Sequence, residues 1–373
     1  MSGSPLIPDR PAPTRDPRPA CLVTNVVSPY RIGPFRILAQ EEEVEVIAYA
    51  DGGPEVEGLP VHRTTQAGAV RRAGSGRYRA VVCGLGGRLA LPGSYAAARL
   101  RRVPFVLWAT IWAHPRSAAH ALSYLPTRHL YRHADAVATY GPHVSRYVAA
   151  RRGGRGAIFE APQAVSTEHF GADVAPERLA AARERAGARG EDFLALFVGR
   201  LVPDKGLDVL LEAWRAADLG EDAALAVAGE GPLEALVHRA GPRVRALGQV
   251  SREELPALYA AADALVLPSV RTATFLEPWG LVINEAMLQS TPIIASASVG
   301  AAAGGLVRQG HNGLVTPERN SRRLAEALST LYADPAGRRR LGVAARTDAL
   351  AYSERAWAEG MSRALASVGS SRS

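Results

Sequence analysis

Short aliphatic runs alternate with amphipathic or alanine-rich stretches along most of this chain, the pattern of parallel strands covered by helices. In the first half the predicted strands are Cys21 to Val27, Val44 to Ala50, Ala80 to Cys83, Pro104 to Ala109, Asp135 to Thr139 and Ala157 to Glu160. Helical segments such as Ser94 to Arg102 and His143 to Arg151 lie between them. Glu177 to Glu191 has little to bury and reads as an exposed helix or linker, after which a second series begins. Its strands are Phe193 to Val198, Ala223 to Ala228, Val244 to Leu247, Asp263 to Leu267 and Pro292 to Ala295, with a helix after each of the first four. Leu207 to Ala217 is the cleanest helix, with Leu207, Leu210, Leu211 and Trp214 on one face.

This pattern predicts an α/β protein of two consecutive Rossmann-like, doubly wound domains, 21–175 and 176–345. The tail from Ser321 to Val368 is largely helical, and 346–373 is expected to hold a C-terminal helix returning to the first domain. Disorder is expected over 1–20 and at the extreme C-terminal end. Doubly wound sheets bind ligands at the carboxyl ends of their strands, so a site is expected in the cleft between the domains.

With 373 residues, 47% of them apolar, each domain can have its own core. No run approaches the roughly 18 to 20 apolar residues of a membrane-spanning helix, and the Pro- and Arg-rich start lacks the apolar segment of an export signal. A cytoplasmic location is expected. Cys21 and Cys83 sit in apolar runs and read as buried free thiols. The formal charge of +8 suits an anionic partner, yet the arginines are scattered as compositional bias would scatter them. Among 44 basic residues there is a single lysine, Lys205. A lone lysine in an arginine-rich chain suggests a place that needs a compact point charge.

Lys205 closes the segment Phe197-Val198-Gly199-Arg200-Leu201-Val202-Pro203-Asp204-Lys205, which joins a buried strand to the helix at Leu207. Arg200 and Lys205 beside a helix start can converge on a diphosphate, and they can equally be two solvated cations in a loop. The next motif favours the diphosphate. In Phe275-Leu276-Glu277-Pro278-Trp279-Gly280-Leu281-Val282-Ile283-Asn284-Glu285-Ala286 two carboxylates have seven residues between them. Pro278 and Gly280 put Glu277 in a loop and Glu285 on the helix that follows, so both can face one pocket at different depths. Each can accept hydrogen bonds from sugar or ribose hydroxyls, while the N–H groups of Gly280, Leu281 and Val282 are available to phosphate oxygens.

Here the sequence resembles the retaining nucleotide-sugar glycosyltransferases of family 4, which have the GT-B fold of two facing Rossmann-like domains. The resemblance covers Phe197 to Gly206, Ala228 to Pro232, Leu247 to Val250, Leu267 to Ser269, Glu277 to Ala286, Pro292 to Ser296 and Asn312 to Val315. It implies that Gly199, Arg200 and Lys205 hold the donor diphosphate, Glu277 the transferred sugar and Glu285 the ribose, with Leu247 and Val250 lining the base pocket. It also implies a UDP-sugar as the commonest donor and attack by a hydroxyl acceptor on the face the diphosphate leaves. In the first half the resemblance is weak. Tyr30, Arg31 and Gly33 stand in what looks like an acceptor-side opening, and Gln163-Ala164-Val165-Ser166 departs from the Asn-Gly-Val-Asp-like turn of many members.

No Asp-x-Asp and no metal-ligand spacing occurs, so metal and cofactor are expected to be absent and the leaving diphosphate to be met by Arg200, Lys205 and helix dipoles. Trp108 to Arg116 follows an apolar strand, so Trp112 and His114 can border the cleft, His114 against donor sugar or acceptor and the indoles stacking on sugar or lipid. A core Trp pair with a surface His fits the same residues. The expected acceptor is a glycolipid, glycan or natural product, the lipid-linked case implying peripheral contact with the inner face of an anionic membrane. The Arg- and Ala-rich composition is that of high-GC, actinobacterial-type pathways. A GT-B nucleotide-sugar epimerase shares the diphosphate site, a pyridoxal-dependent phosphorylase would need Lys205 for its Schiff base, and a nucleic-acid-binding protein would gather its arginines among aromatics, which this chain does not.

Overall fold

The computed structural model describes residues 16–54 and 56–369. Of the segments expected to be disordered, 1–15 and 370–373 lie outside the described residues, whereas Ala20 already opens the first strand. The first sheet contains β1 (Ala20–Thr24), β2 (Val44–Ala48), β3 (Val61–Arg63), β4 (Ala80–Gly84), β5 (Phe105–Ala109), β6 (Ala136–Thr139) and β7 (Ala157–Glu160). The second contains β8 (Phe193–Val198), β9 (Ala223–Ala228), β10 (Val244–Gly248), β11 (Ala264–Leu267), β12 (Ile293–Ser296) and β13 (Gly313–Thr316). The orders are β3-β2-β1-β4-β5-β6-β7 and β10-β9-β8-β11-β12-β13, with every neighbouring pair parallel.

Helices cover both faces, so the inner strands are buried throughout and read as unbroken apolar runs. Each order reverses beside its first strand, between β1 and β4 and between β8 and β11. In the second sheet the loops leaving β8 and β11 carry the Lys205 and Glu277 motifs, so both emerge at the point where such sheets open a crevice. The last helix, Glu354–Gly369, packs on Ile32–Glu42 and on β6 and β7, with the Trp357 ring 5.4 Å from both Phe35 and Trp108. Cys21 and Cys83 are free and buried. Among the described residues no helix is long and apolar enough to cross a membrane.

Candidate active site

The loop after β8 folds into a 3-10 turn, Pro203–Lys205, and Gly206 turns it into the helix Leu207–Ala216. That helix buries Leu207, Leu210, Leu211 and Trp214, which fixes the turn before it. The turn is also tied to the neighbouring loop, the Val270 N–H donating to the Asp204 carbonyl at 3.0 Å. Gly229, in Ala228-Gly229-Glu230-Gly231-Pro232, lets the loop after β9 run against this one: a Cβ there would stand 1.9 Å from the Gly199 oxygen.

Lys205 Nζ donates to Glu277 Oε2, the same oxygen takes the Ser269 hydroxyl at 3.1 Å, and Phe275 lies 5.6 Å from Nζ. Glu277 is 6% exposed and Ser269 fully buried, so the pair sits at the floor of the crevice, where a charge without a partner is costly. Arg200 is exposed, and its guanidinium has no partner among the described residues. The two cations therefore differ: one is held by an ion pair and the other is exposed.

Gly280 starts the helix Leu281–Leu288 at φ 95°, where a Cβ would meet Leu267 Cδ2 at 2.7 Å. The first-turn N–H groups of Leu281 and Val282 stand at its open N-terminal end. One turn on, Glu285 accepts the Tyr259 hydroxyl at 2.6 Å. Burial pushes its carboxyl up to about 7, against the opposing effects of the Tyr259 hydrogen bond and the Arg252 charge.

Three contacts from the first domain hold this loop. The Trp112 indole N–H donates to the Glu277 carbonyl at 3.1 Å, His143 Nε2 donates to the Pro278 carbonyl at 3.1 Å, and the Arg116 N–H donates to the Ala273 carbonyl at 2.6 Å. Burial holds His143 down at about 4, so the ring is neutral near pH 7. Asn284 adds a fourth tie, accepting from Trp279 at 2.7 Å and donating to the Gln163 carbonyl at 3.2 Å.

Between the loop that follows β5 and the loop that follows β11 opens a cavity of about 1220 Å³, walled by Trp112, His114 and Tyr124 on one side and Phe275 and Leu276 on the other. His114 Nε2 donates to the His120 carbonyl at 2.7 Å, which leaves Nδ1 buried and without a partner. Of the sequence-predicted residues, Trp112 and His114 line the cavity, while Lys205 and Glu277 are outside its lining and adjoin it through Phe275, 5.6 Å from Nζ, and through the Trp112 hydrogen bond to the Glu277 carbonyl.

Others lie elsewhere. Arg31 is not open to the cleft: it is buried under Trp108, 4.4 Å from the ring, and donates to the Tyr140 hydroxyl at 2.6 Å. Stacking on aromatic faces compensates its burial, and Trp108 is correspondingly a core residue. Tyr30 flanks that cage at 4.9 Å. Gly33 leaves room for the Glu354 carboxylate, which a Cβ would approach to 2.1 Å. Leu247 and Val250 line a separate pocket of about 190 Å³ with Arg178 and Leu258. Sequence reasoning placed Arg116 in the segment bordering the cleft without a role, and did not single out His143, Ser269, Tyr259 or the cavity arginines 151, 271 and 319. Ser269 and Phe275 were within quoted motifs, whereas nothing local distinguishes the others.

Residues 180–348 match the family model for glycosyl transferases group 1. The chain is 34% identical over 173 residues to an alpha-D-kanosaminyltransferase of Streptomyces kanamyceticus, covering 44% of this chain and 42% of that protein. It is 34% identical over 220 residues to a GDP-mannose-dependent alpha-(1-6)-phosphatidylinositol monomannoside mannosyltransferase of Mycolicibacterium smegmatis, covering 56% of each. The chain spans about half the length of these curated relatives. The crystal structure of Anabaena HepE with UDP superposes with a TM-score of 0.76 at 22% identity, covering 94% of this chain and 100% of that one. The two parallel-sheet domains and their facing arrangement are those of the GT-B fold, and residues 180–348 of the second are similar to the glycosyl transferases group 1 family.

Proposed function

We propose that the chain moves a sugar from a nucleoside diphosphate donor to a hydroxyl acceptor with retention of anomeric configuration and without a metal ion. The observation that carries this reading is the partly buried Lys205–Glu277 pair, set beside the N-terminal end of Leu281–Leu288 where the second sheet reverses its order. An ammonium has three donors, so Lys205 can keep Glu277 and still meet phosphate oxygens, with Arg200 closing over them from the rim and the N–H groups of Gly280, Leu281 and Val282 below. Glu277 then binds hydroxyls of the sugar, Glu285 the ribose, and Leu247 and Val250 the base beside the smaller pocket. A UDP-sugar is the first donor to test, since HepE was crystallised with UDP, and a GDP-sugar the second, since the mannosyltransferase relative is GDP-mannose-dependent.

In the reaction the acceptor oxygen bonds to the anomeric carbon as the bond to the diphosphate breaks. The acceptor proton passes to the departing phosphate on the same face. Developing charge on that phosphate is met by Lys205, Arg200 and the helix dipole, fixed in place before the reaction. His114 Nδ1, which has no partner among the described residues, takes a hydrogen bond from a sugar or acceptor hydroxyl in the cavity.

The reading extends to an enzyme working in the cytoplasm, at the inner face of an anionic membrane. The helix Ala118–His133 supports the surface contact: Leu122 and Leu125 are 83% and 68% exposed, beside exposed Arg128 and Arg132. Calorimetry with UDP and GDP in EDTA, against electrophoretic shift with polynucleotides, tests the donor reading. Saturable nucleotide binding without a metal is expected. Shifted polynucleotide with no nucleotide binding would replace transferase by nucleic-acid binder. An epimerase would convert the nucleotide sugar with no acceptor present.

A further inference from the structure

Several surface arginines of this chain are paired with acids: Arg72 and Arg77 with Glu45, Arg99 with Asp135, Arg185 with Glu254, Arg308 with Asp348 and Arg355 with Glu41. The interdomain cavity is different. Arg116, Arg151, Arg271 and Arg319 all line it, and among its described lining residues none is Asp or Glu. The guanidinium groups of Arg116 and Arg271 have no hydrogen-bond or ion-pair partner among the described residues. Arg319 gives one N–H to the Arg271 carbonyl at 2.9 Å, and Arg151 lies over the Tyr147 ring at 3.4 Å, donates to the Tyr147 carbonyl and keeps a buried Nε without a partner. Glu318 accepts the Arg271 N–H at 2.7 Å and the Ser298 hydroxyl at 2.5 Å, and against the opposing effect of burial these bonds and the charges of Arg271 and Arg319 hold its carboxyl below the ordinary range, so it offsets those two arginines in part.

Four like charges around one space repel one another, which a fold maintains at a cost in stability unless a counter-charge arrives. Two arginines come from each domain, so an anion held by all four bridges the cleft. The cavity exceeds the roughly 300–1,000 Å³ of a small-ligand pocket and has room for a transferred sugar and an acceptor together. The rest of its lining includes the large apolar side chains of Trp112, Tyr124, Phe275 and Leu276, which suit the carbon skeleton between a charged end and a reacting hydroxyl.

Resting on the transferase reading above, we infer that the acceptor is an anion, a phosphate monoester or diester, whose charge is held by Arg116, Arg151, Arg271 and Arg319. The hydroxyl to be glycosylated then lies toward His114 and Glu277. Guanidinium groups suit this role because they present paired donors to phosphate oxygens. A soluble sugar phosphate and a phospholipid headgroup share the chemistry.

The test is calorimetry on the full chain, held saturated with nucleoside diphosphate so that the donor site is filled. The probes are glycerol 3-phosphate, glycerol, vesicles of phosphatidylcholine, and vesicles with about one-third phosphatidylglycerol. One or both anionic probes should bind, neither uncharged probe should, and the Arg271→Gln/Arg319→Gln double variant should lose at least about tenfold in affinity. That variant should retain nucleotide affinity and melt no lower than wild type. Binding of glycerol 3-phosphate assigns a free phosphorylated acceptor, and binding of the anionic vesicles alone assigns a headgroup. Unbound anionic probes, equal binding of charged and uncharged probes, or a variant that binds as wild type does would overturn the inference. A wild type that binds no nucleotide sinks the transferase reading instead, and the anion titration is then read without nucleotide.

Discussion

The indole N–H of Trp112 in the first domain and the main-chain oxygen of Glu277 in the second are 3.1 Å apart, so a side chain of one domain fixes the backbone of a candidate catalytic carboxylate in the other. Glu277 also receives the Gly300 N–H at 3.1 Å, so the carbonyl is not orphaned when the indole is lost. Trp112→Phe keeps the ring near His143 and removes the donor. Turnover is expected to fall about five- to tenfold, near 1 kcal/mol, with nucleotide affinity unchanged. Parallel steady-state kinetics and calorimetry check this, and a loss confined to nucleotide affinity would contradict the positioning role.

Lys205 and the buried Glu277 form an ion pair, and removing either leaves the other's charge uncompensated. Lys205→Ala should lower kcat/KM by about 10²-fold or more, roughly 2.7 kcal/mol of transition-state stabilisation, and also destabilise the fold. A double variant, Lys205→Met with Glu277→Gln, restores much of the stability and none of the activity. Denaturant unfolding beside kinetics separates the two effects. Recovery of activity in the double variant would mean that the pair is only structural.

The motifs that predicted these residues were legible because each is compact: Glu277, Gly280 and Glu285 lie within nine positions on a single loop and helix. The strands were legible because burial on both faces makes them continuous apolar runs. β3 was missed because its residues, Val61–Arg63, are largely exposed at a sheet edge, and β13 because Gly313–Thr316 carries little apolar signal. Arg31 misled because burial in an aromatic cage is invisible in a sequence that spreads Tyr30, Trp108, Tyr140 and Trp357 over its whole length. The cavity arginines come from four loops and helices, and an arginine-rich background conceals them.

The Glu285 carboxyl is held up at about 7 by burial, from an ordinary 4.5. Its folded form keeps a proton that the unfolded chain releases, so its contribution to stability is complete below pH 4.5 and lost as pH rises through 7. Glu285→Gln should therefore gain melting temperature relative to wild type between pH 4.5 and 8. Ribose hydroxyls donating to the ionised carboxylate would make nucleotide affinity rise through pH 7 in wild type and not in the variant. A variant that retains the full pH dependence of affinity would remove Glu285 from the ribose role.

His143 shows the opposite sign. Burial depresses its imidazole from 6.5 to about 4, so the stability it contributes is present above pH 6.5 and lost as pH falls through 4. His143→Gln, which keeps an N–H for the Pro278 carbonyl, should lose melting temperature less steeply than wild type between pH 6.5 and 4. Parallel acid unfolding curves for the two proteins would refute this assignment.

Retaining transfer from a nucleotide sugar is tested most directly by proton NMR of the product. Wild type is incubated in EDTA with an α-linked nucleotide sugar and the acceptor selected by the anion-binding screen. The expected result is an α-anomeric signal in the new glycoside, with one nucleoside diphosphate released for each linkage formed. A β-linked product, a reaction that starts only on addition of Mg²⁺ or Mn²⁺, or an epimerised nucleotide sugar with no diphosphate released would contradict it.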